Sequence, residues 1–387
     1  MLFSLFVALG PTRAEAPETA SLRIAFLGMP EAPRATFSDL EPEPLDLGLQ
    51  GARLAIQDNN TTGQFLGQSF HLEESLLSRE DDPTVAFRDL VAKGARYVVT
   101  RLPADALLKI ADLPEARETL LFNAGAPDDR LRNAACRSNV MHTLPSRAML
   151  ADALAQYLVR KRWPRWFLVV GPQEGDRRFA DAVRRAAGRF GGRIVEEKNW
   201  AYTHDARRTA ESEVPVFTQG PAYDVLIVAD ESGDFGEHFA YRTWEPRPVA
   251  GTQGLTPLAW HRAHEQWGAA QLQRRFQALA GRAMRPLDYA AWLAVRAIGE
   301  AATQTQQTAS LKVTRDHLLG SGFALQGFKG RKLNFRPWDH ELRQPILLAS
   351  PNAVVSASPQ EGFLHPKTTL DTLGYDEPES GCRLSGH

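Results

Sequence analysis

The segment "WHRAH" sets His261 and His264 three residues apart, a spacing that puts two imidazoles on one helix face and can hold a divalent metal. No acid stands beside them to complete a ligand set, so a solvated helix face with a packed Trp260 is the expected reading. "ADESGDFGEHF" gathers Asp230, Glu231, Asp234 and Glu237 around two glycines, an oxygen-rich composition of the kind that holds calcium. Its spacing is not that of a twelve-residue calcium loop, and a strand end entering a capped helix accounts for it equally well. A third stretch, "RYVVTRLPADALLKIAD" (Arg96 to Asp112), has the form of a buried strand, a sharp turn and a helix. In an open parallel sheet, ligands are held at the carboxyl ends of strands. Arg101 in that turn could take a carboxylate on two parallel N–H donors; pairing with a surface acid such as Asp105 is the alternative. The chain carries no G-x-S-x-G, H-E-x-x-H, C-x-x-C, P-loop or G-x-G-x-x-G motif. The chemistry on offer is holding, not transforming: no catalytic residue, metal or cofactor is expected.

The elements that would position these residues alternate. Strand-length apolar runs fall at Leu22–Met29, Phe70–Ser75, Tyr97–Thr100, Leu120–Asn123, Trp166–Gly171, Arg193–Trp200 and Asp224–Ala229. Helix-period segments lie between them at Leu45–Asn60, Asp82–Lys93, Ala104–Asp112, Ser146–Lys161, Asp176–Phe190 and about Arg207–Phe217. Unbroken runs such as "FLVV" and "VLIVA", each leading to a helix, predict parallel strands covered on both faces. The alternation occurs twice, with a second set beginning at "SRAMLADALAQYLVRK". Two long helices, Leu258–Gly281 and Pro286–Ala302, then precede "GFKGRKLNF" and "QPILLAS", which read as a closing β-ribbon. This predicts an α/β protein of two doubly wound, Rossmann-like lobes joined by a multi-crossover hinge. The expected division is residues 21–143 with about 255–330 in lobe one, and 144–254 with about 331–355 in lobe two. Residues 356–387 form a polar tail.

A chain of 387 residues, 24% charged with net charge −1, offers no basic field for nucleic acid. No run of 18 apolar residues occurs, so direct membrane insertion is not expected. The short apolar run Leu2–Leu9 followed by Ala14-Glu15-Ala16 predicts a secretory signal peptide over residues 1–20. Cys136 and Cys382 are then either one disulfide formed in an oxidising compartment or two unrelated thiols.

"LGLQGARLAIQDNNTTGQFLGQSFHLEES", with Gly51, Leu54, Ala55, Asn60, Gly63, Leu66 and Gly67, resembles the first helix and second strand of periplasmic solute-binding proteins of the Leu/Ile/Val-binding type. "DDPTVAFRDLVAKGARYVV", "LLFNAGAPDD", "MHTLPSRAML" and "RPLDYAAWLAVRAIGEA" continue the resemblance in order, from about Leu22 to Ala349. "FNAGAPDDRLR" and "DHELRQPILLAS" are similar to a subfamily associated with pyrroloquinoline-quinone-dependent alcohol dehydrogenase systems. The resemblance implies a monomeric type I periplasmic binding protein that presents a small-molecule ligand to an ABC permease of the inner membrane. The alternative is a sensor or delivery protein that docks on a receptor or dehydrogenase.

It also implies a ligand set, on which this chain departs from the amino-acid-binding members. The G-P-x-S-S turn that holds a ligand carboxylate there corresponds to Thr100, Arg101, Leu102, Pro103 and Ala104 here. The threonine and the acid that hold the ammonium correspond to Ala126 and Gln253, and the aromatic lid to Gly175. Expected ligand contacts are Arg101, Leu102, Pro103, Ala104, Asn123, Gly125 and Ala126 from lobe one. Lobe two would contribute Glu174, Gly175, Tyr202, Glu231 and Gln253. A buried charge without a partner costs several kcal/mol, so loss of the ammonium partners predicts a solute other than a standard amino acid.

Overall fold

In a computed structural model describing residues 20–30, 44–201, 210–306 and 310–384, the chain builds two parallel sheets, each sandwiched by helices. The first sheet contains β1 (Ala20–Gly28), β2 (Gln68–Leu76), β3 (Tyr97–Arg101), β4 (Leu120–Asn123) and β5 (Val140–His142), in the order β2-β1-β3-β4-β5. Every residue of β3 and β4 is buried, as strands covered on both faces require. On one face lie α2 (Pro83–Ala92) and α3 (Ala104–Ala111), whose Phe87, Leu90, Leu107 and Ile110 share a core with Val98 and Leu121. Asp82 caps α2 by accepting from Thr84 N–H at 2.9 Å.

The second sheet is built the same way. After α4 (Arg147–Arg160) come β6 (Arg165–Val170), α5 (Glu174–Phe190), β7 (Arg193–Asn199), α6 (Ala210–Phe217), β8 (Val225–Ala229) and β9 (Val249–Gly251), with strand order β7-β6-β8-β9.

The chain then returns. β10 (Thr256–Leu258) leads to α7 (Ala269–Ala280), α8 (Pro286–Thr305) and α9 (Leu311–Leu319). Helix α8 packs in the first core against α1 (Leu49–Gly63), where Gly51 permits a backbone approach. A Cβ at Gly51 would stand 1.9 Å from the Asp288 carbonyl oxygen. Trp260 stacks on Tyr289 of α8, and Tyr289 on Trp292 of the same helix.

Several expectations are corrected here. The helix expected over Leu258–Gly281 begins only at Ala269, because Trp267 (φ 58°) and Gly268 (φ 84°) take left-handed conformations that a continuous helix excludes. His264 is therefore not on a helix with His261, and its Nε2 lies 2.8 Å from the Phe328 carbonyl oxygen. The single closing ribbon is two separate units. β12 (Lys332–Phe335) pairs with β11 (Leu325–Gln326) and β13 (Leu342–Arg343), whereas β14 (Ile346–Ser350) pairs with β10 and β15 (Ala353–Ser358). Leu333, Phe335 and Leu342 belong to the first core, and Ile346 and Leu348 to the second, so the return crossing lies at 343–345 and not near 331. The final segment also packs: Leu373 enters the second core, and Cys382 is bonded to Cys136.

The crossings are pinned by buried charge. Glu341 accepts from Ser146 N–H (2.8 Å) at the start of α4, from Arg132 Nε (3.2 Å) and from Arg336 Nη1 (3.3 Å). Gln344 Nε2 donates to the Thr143 carbonyl at 2.9 Å.

Candidate functional site

Between the sheets opens a cleft of about 920 Å³, lined from both sides. The first wall comes from strand ends. β3 closes on Arg101, whose carbonyl accepts from Met29 N–H at 2.9 Å, and the chain turns through Leu102 and Pro103 into α3. Pro103, whose ring fixes φ at −58°, takes the N-cap position of α3 in an extended conformation (ψ 153°) and makes no side-chain cap bond. After β4, residues 124–128 fold back across that turn. Gly125 makes the crossing possible, since a Cβ there would stand 2.8 Å from Arg101 Cα and Leu102 N.

The second wall comes from α5, β8 and β9. Gln173 and Asp176 form a capping box at the α5 N-terminus, which presents Glu174 and Gly175. The second Asp176 oxygen accepts from Glu231 N–H at 2.7 Å, fixing the backbone beyond β8. Gly175 leaves room for the Glu231 side chain, because a Cβ would meet its Oε2 at 2.7 Å. Thr252, following β9, accepts from Asp230 N–H through Oγ1 at 3.0 Å and donates to the Val228 carbonyl at 3.1 Å, which places Gln253 at the cleft.

Of the anticipated ligand contacts, Arg101, Leu102, Pro103, Ala104, Gly125, Ala126, Glu174, Gly175, Glu231 and Gln253 line the cleft. Asn123 lies beneath it, fully buried. Its Nδ2 donates to the Ala126 carbonyl (2.8 Å), and its Oδ1 accepts from Ala126 N–H (2.9 Å) and Gly125 N–H (3.2 Å). It therefore shapes the turn from below. Tyr202 lies outside the described residues. The Asp230 carboxylate accepts from the backbone N–H groups of Asp234, Phe235 and Gly236, so the acidic loop is folded on itself as a capped turn.

The sequence reading overlooked Arg147 and Arg178. Arg147, the first residue of α4, reaches Glu231 with Nε (2.8 Å to Oε1) and Nη2 (2.7 Å to Oε2), and Asp128 with Nη1 (3.2 Å). Arg178 of α5 pairs with both Asp128 and Glu174. Asp128 belongs to the loop after β4, so arginines of the second wall grip an acid of the first. The Arg147 and Asp128 side chains are 7% and 8% exposed, so water screens this pair poorly. Next to it, Asp129 accepts from Ala148 N–H at 2.9 Å, and burial pushes its pKa up to about 6. The signal was available in "PSRAML", where a cation stands at a helix start, the end at which the helix dipole disfavours it.

Known proteins resemble the chain as follows. A periplasmic binding protein family model matches residues 46–207. No curated protein sequence matches. A branched-chain amino acid ABC transporter periplasmic ligand-binding protein from Burkholderia xenovorans superposes with TM-score 0.71 at 15% identity, over 94% of this chain and 100% of its own. The leucine-, isoleucine-, valine-, threonine- and alanine-binding protein of Brucella ovis, in its closed conformation, gives 0.70 at 16% identity, over 95% and 99%. An ABC transporter solute-binding protein from R. palustris in complex with benzoate gives 0.66 at 14% identity, over 94% and 100%. The chain has the two-lobed α/β fold of the type I periplasmic binding proteins, and residues 46–207 match that family's model.

Proposed function

We propose that this protein is the periplasmic substrate-binding component of an ABC transporter, which captures a small solute other than a standard α-amino acid. The observation that carries the reading is the state of the cleft acids. Glu231 and Asp128 are held by Arg147, Glu174 by Arg178, Asp105 by Arg130, and Asp230 by backbone N–H groups. Among the described residues, a ligand ammonium entering this cleft would compete with a guanidinium or a backbone donor for each carboxylate that lines it. The rest of the wall includes Met29, Leu102, Leu144, Phe179 and Leu258, which suit an apolar body.

The β3 turn at Arg101 lines the cleft, which supports recognition of a solute carboxylate or hydroxyl there. Binding would draw the walls together about the crossings at 143–146, 258–259 and 343–345, since a ligand touching both lobes stabilises the closed arrangement. The signal-like N-terminus supports export, and the neighbours' roles support an inner-membrane permease as the docking partner of a monomer. The segments "FNAGAPDDRLR" and "DHELRQPILLAS" support a link to pyrroloquinoline-quinone-dependent alcohol oxidation.

The test combines thermal shift with small-angle scattering. The panel is amino acids, alcohols, aldehydes, carboxylates and pyrroloquinoline quinone. A compound lacking an ammonium group should raise the melting temperature and contract the radius of gyration. A panel that changes neither would refute the reading.

A further inference from the structure

We propose that Arg147 is the specificity determinant of the cleft: its guanidinium stands where a ligand's cationic group would otherwise sit, between Asp128 of the first lobe and Glu231 of the second. The inference rests on the reading of this cleft as a solute site.

Three observations carry it. First, the pair is built rather than incidental. Glu231 is fixed from its backbone by Asp176 (2.7 Å), its Oε2 lies 2.7 Å from where a Cβ at residue 175 would stand, and both oxygens are taken by one planar fork. Second, Arg147 is anchored to both lobes. Its backbone N–H donates to the Pro127 carbonyl at 3.0 Å, its Nη1 reaches Asp128, and its Nε and Nη2 reach Glu231. Third, nothing in helix formation asks for it. Ser146 already caps α4 through Met149 N–H at 3.2 Å, and a cation in the first turn opposes the helix dipole. Its partners are the two acids.

The consequence is a cleft that carries its own cation. A solute with an ammonium meets a guanidinium already on the carboxylates and is repelled, whereas a neutral or anionic solute is not. The same cation joins the lobes, so a ligand here need not supply the charge that bridges them.

The experiment uses the full chain and three probes that share an isobutyl group: isoamylamine, leucine and isovalerate. Binding is followed by calorimetry and thermal shift. Wild type and Arg147→Lys, which keeps a cation in place, should bind neither isoamylamine nor leucine at millimolar concentration. Arg147→Met should gain at least tenfold in affinity for isoamylamine or leucine, and Arg147→Met with Glu231→Gln should lose that gain. A cooperatively melting Arg147→Met protein that still refuses both amines overturns the proposal, as does wild-type binding of either. Should Arg147→Met fail to fold, Glu231→Gln decides: with its guanidinium half released, it should gain isovalerate binding over wild type, and no gain overturns the proposal. A wild type that binds no solute of any class would count against the transport reading, while gain of amine binding in Arg147→Met would still support this one.

Discussion

Asn123 and Asp339 show how much single polar groups beneath the cleft and in the hinge decide. Asn123 holds three backbone groups of the loop that forms the first wall. Replacing it with alanine leaves buried donors without an acceptor, at about 1–3 kcal/mol each when water cannot replace them. Asn123→Ala should therefore lower the urea midpoint by an amount equivalent to about 2 kcal/mol; an unchanged midpoint would mean that these bonds do not hold the loop. Asp339 is fully buried among Arg336, Glu341 and Arg132, accepts from Glu341 N–H at 2.9 Å, and is pushed by burial up to about 7. The unfolded carboxyl titrates near 4, so between roughly pH 4 and 7 the folded state holds a proton that the unfolded state has lost. The stability this group contributes is fully present below that window and is lost as pH rises through 7. The buried His142 is shifted well below its usual value by burial, so its contribution runs the other way, lost as pH falls below about 6.5. The two are separable by mutation. The melting temperature of Asp339→Asn minus that of wild type should rise from pH 5 to about pH 7 and level off above it, and a constant difference would contradict the assignment.

At the scale of elements, much of the lobe architecture is legible as pattern. Runs such as "YVVT" and "VLIVA" are buried on both faces and carry no polar alternation, so their strands and the flanking amphipathic helices follow from the sequence alone. β5, β9 and β10 were not legible, because three residues hold no period and exist only through pairing with longer neighbours. Helix α7 was misplaced because a helical pattern cannot announce that Trp267 adopts a positive φ. The candidate site was half legible for a similar reason. Glycine and proline turns at strand ends mark the walls, whereas the Arg147–Glu231 contact joins residues 84 apart and has no local trace. One close approach can be tested directly. Gly51→Ala would force α1 away from the Asp288 carbonyl, and overpacking of this kind costs about 2–3 kcal/mol. Thermal unfolding should show that loss, and an unchanged melting temperature would mean that the α1–α8 contact is looser than described.

At the scale of the molecule, the C-terminal segment ties the two lobes together. Asp152, Arg185 and Arg189 of the second lobe hold Gly374, and Arg185 lies over the Tyr375 ring at 4.2 Å. Eight residues on, Cys382 is bonded to Cys136 of the first lobe, and Gly381 N–H donates to Asn133. Eight residues span at most about 28 Å, so this strap limits how far the lobes part. Its bond closes a separation of 246 residues, worth roughly 5 kcal/mol in the chain-entropy model. Cys136→Ser with Cys382→Ser should show a lower urea midpoint and a larger radius of gyration in ligand-free buffer; superposable scattering curves would remove the restraint on opening. The measurement that reaches furthest is calorimetric titration of the wild-type chain with matched sets of one skeleton each: the α-amino acid, the corresponding carboxylic acid and the alcohol. Saturable binding confined to members without an ammonium group is the predicted result. Micromolar binding of leucine or valine would contradict it.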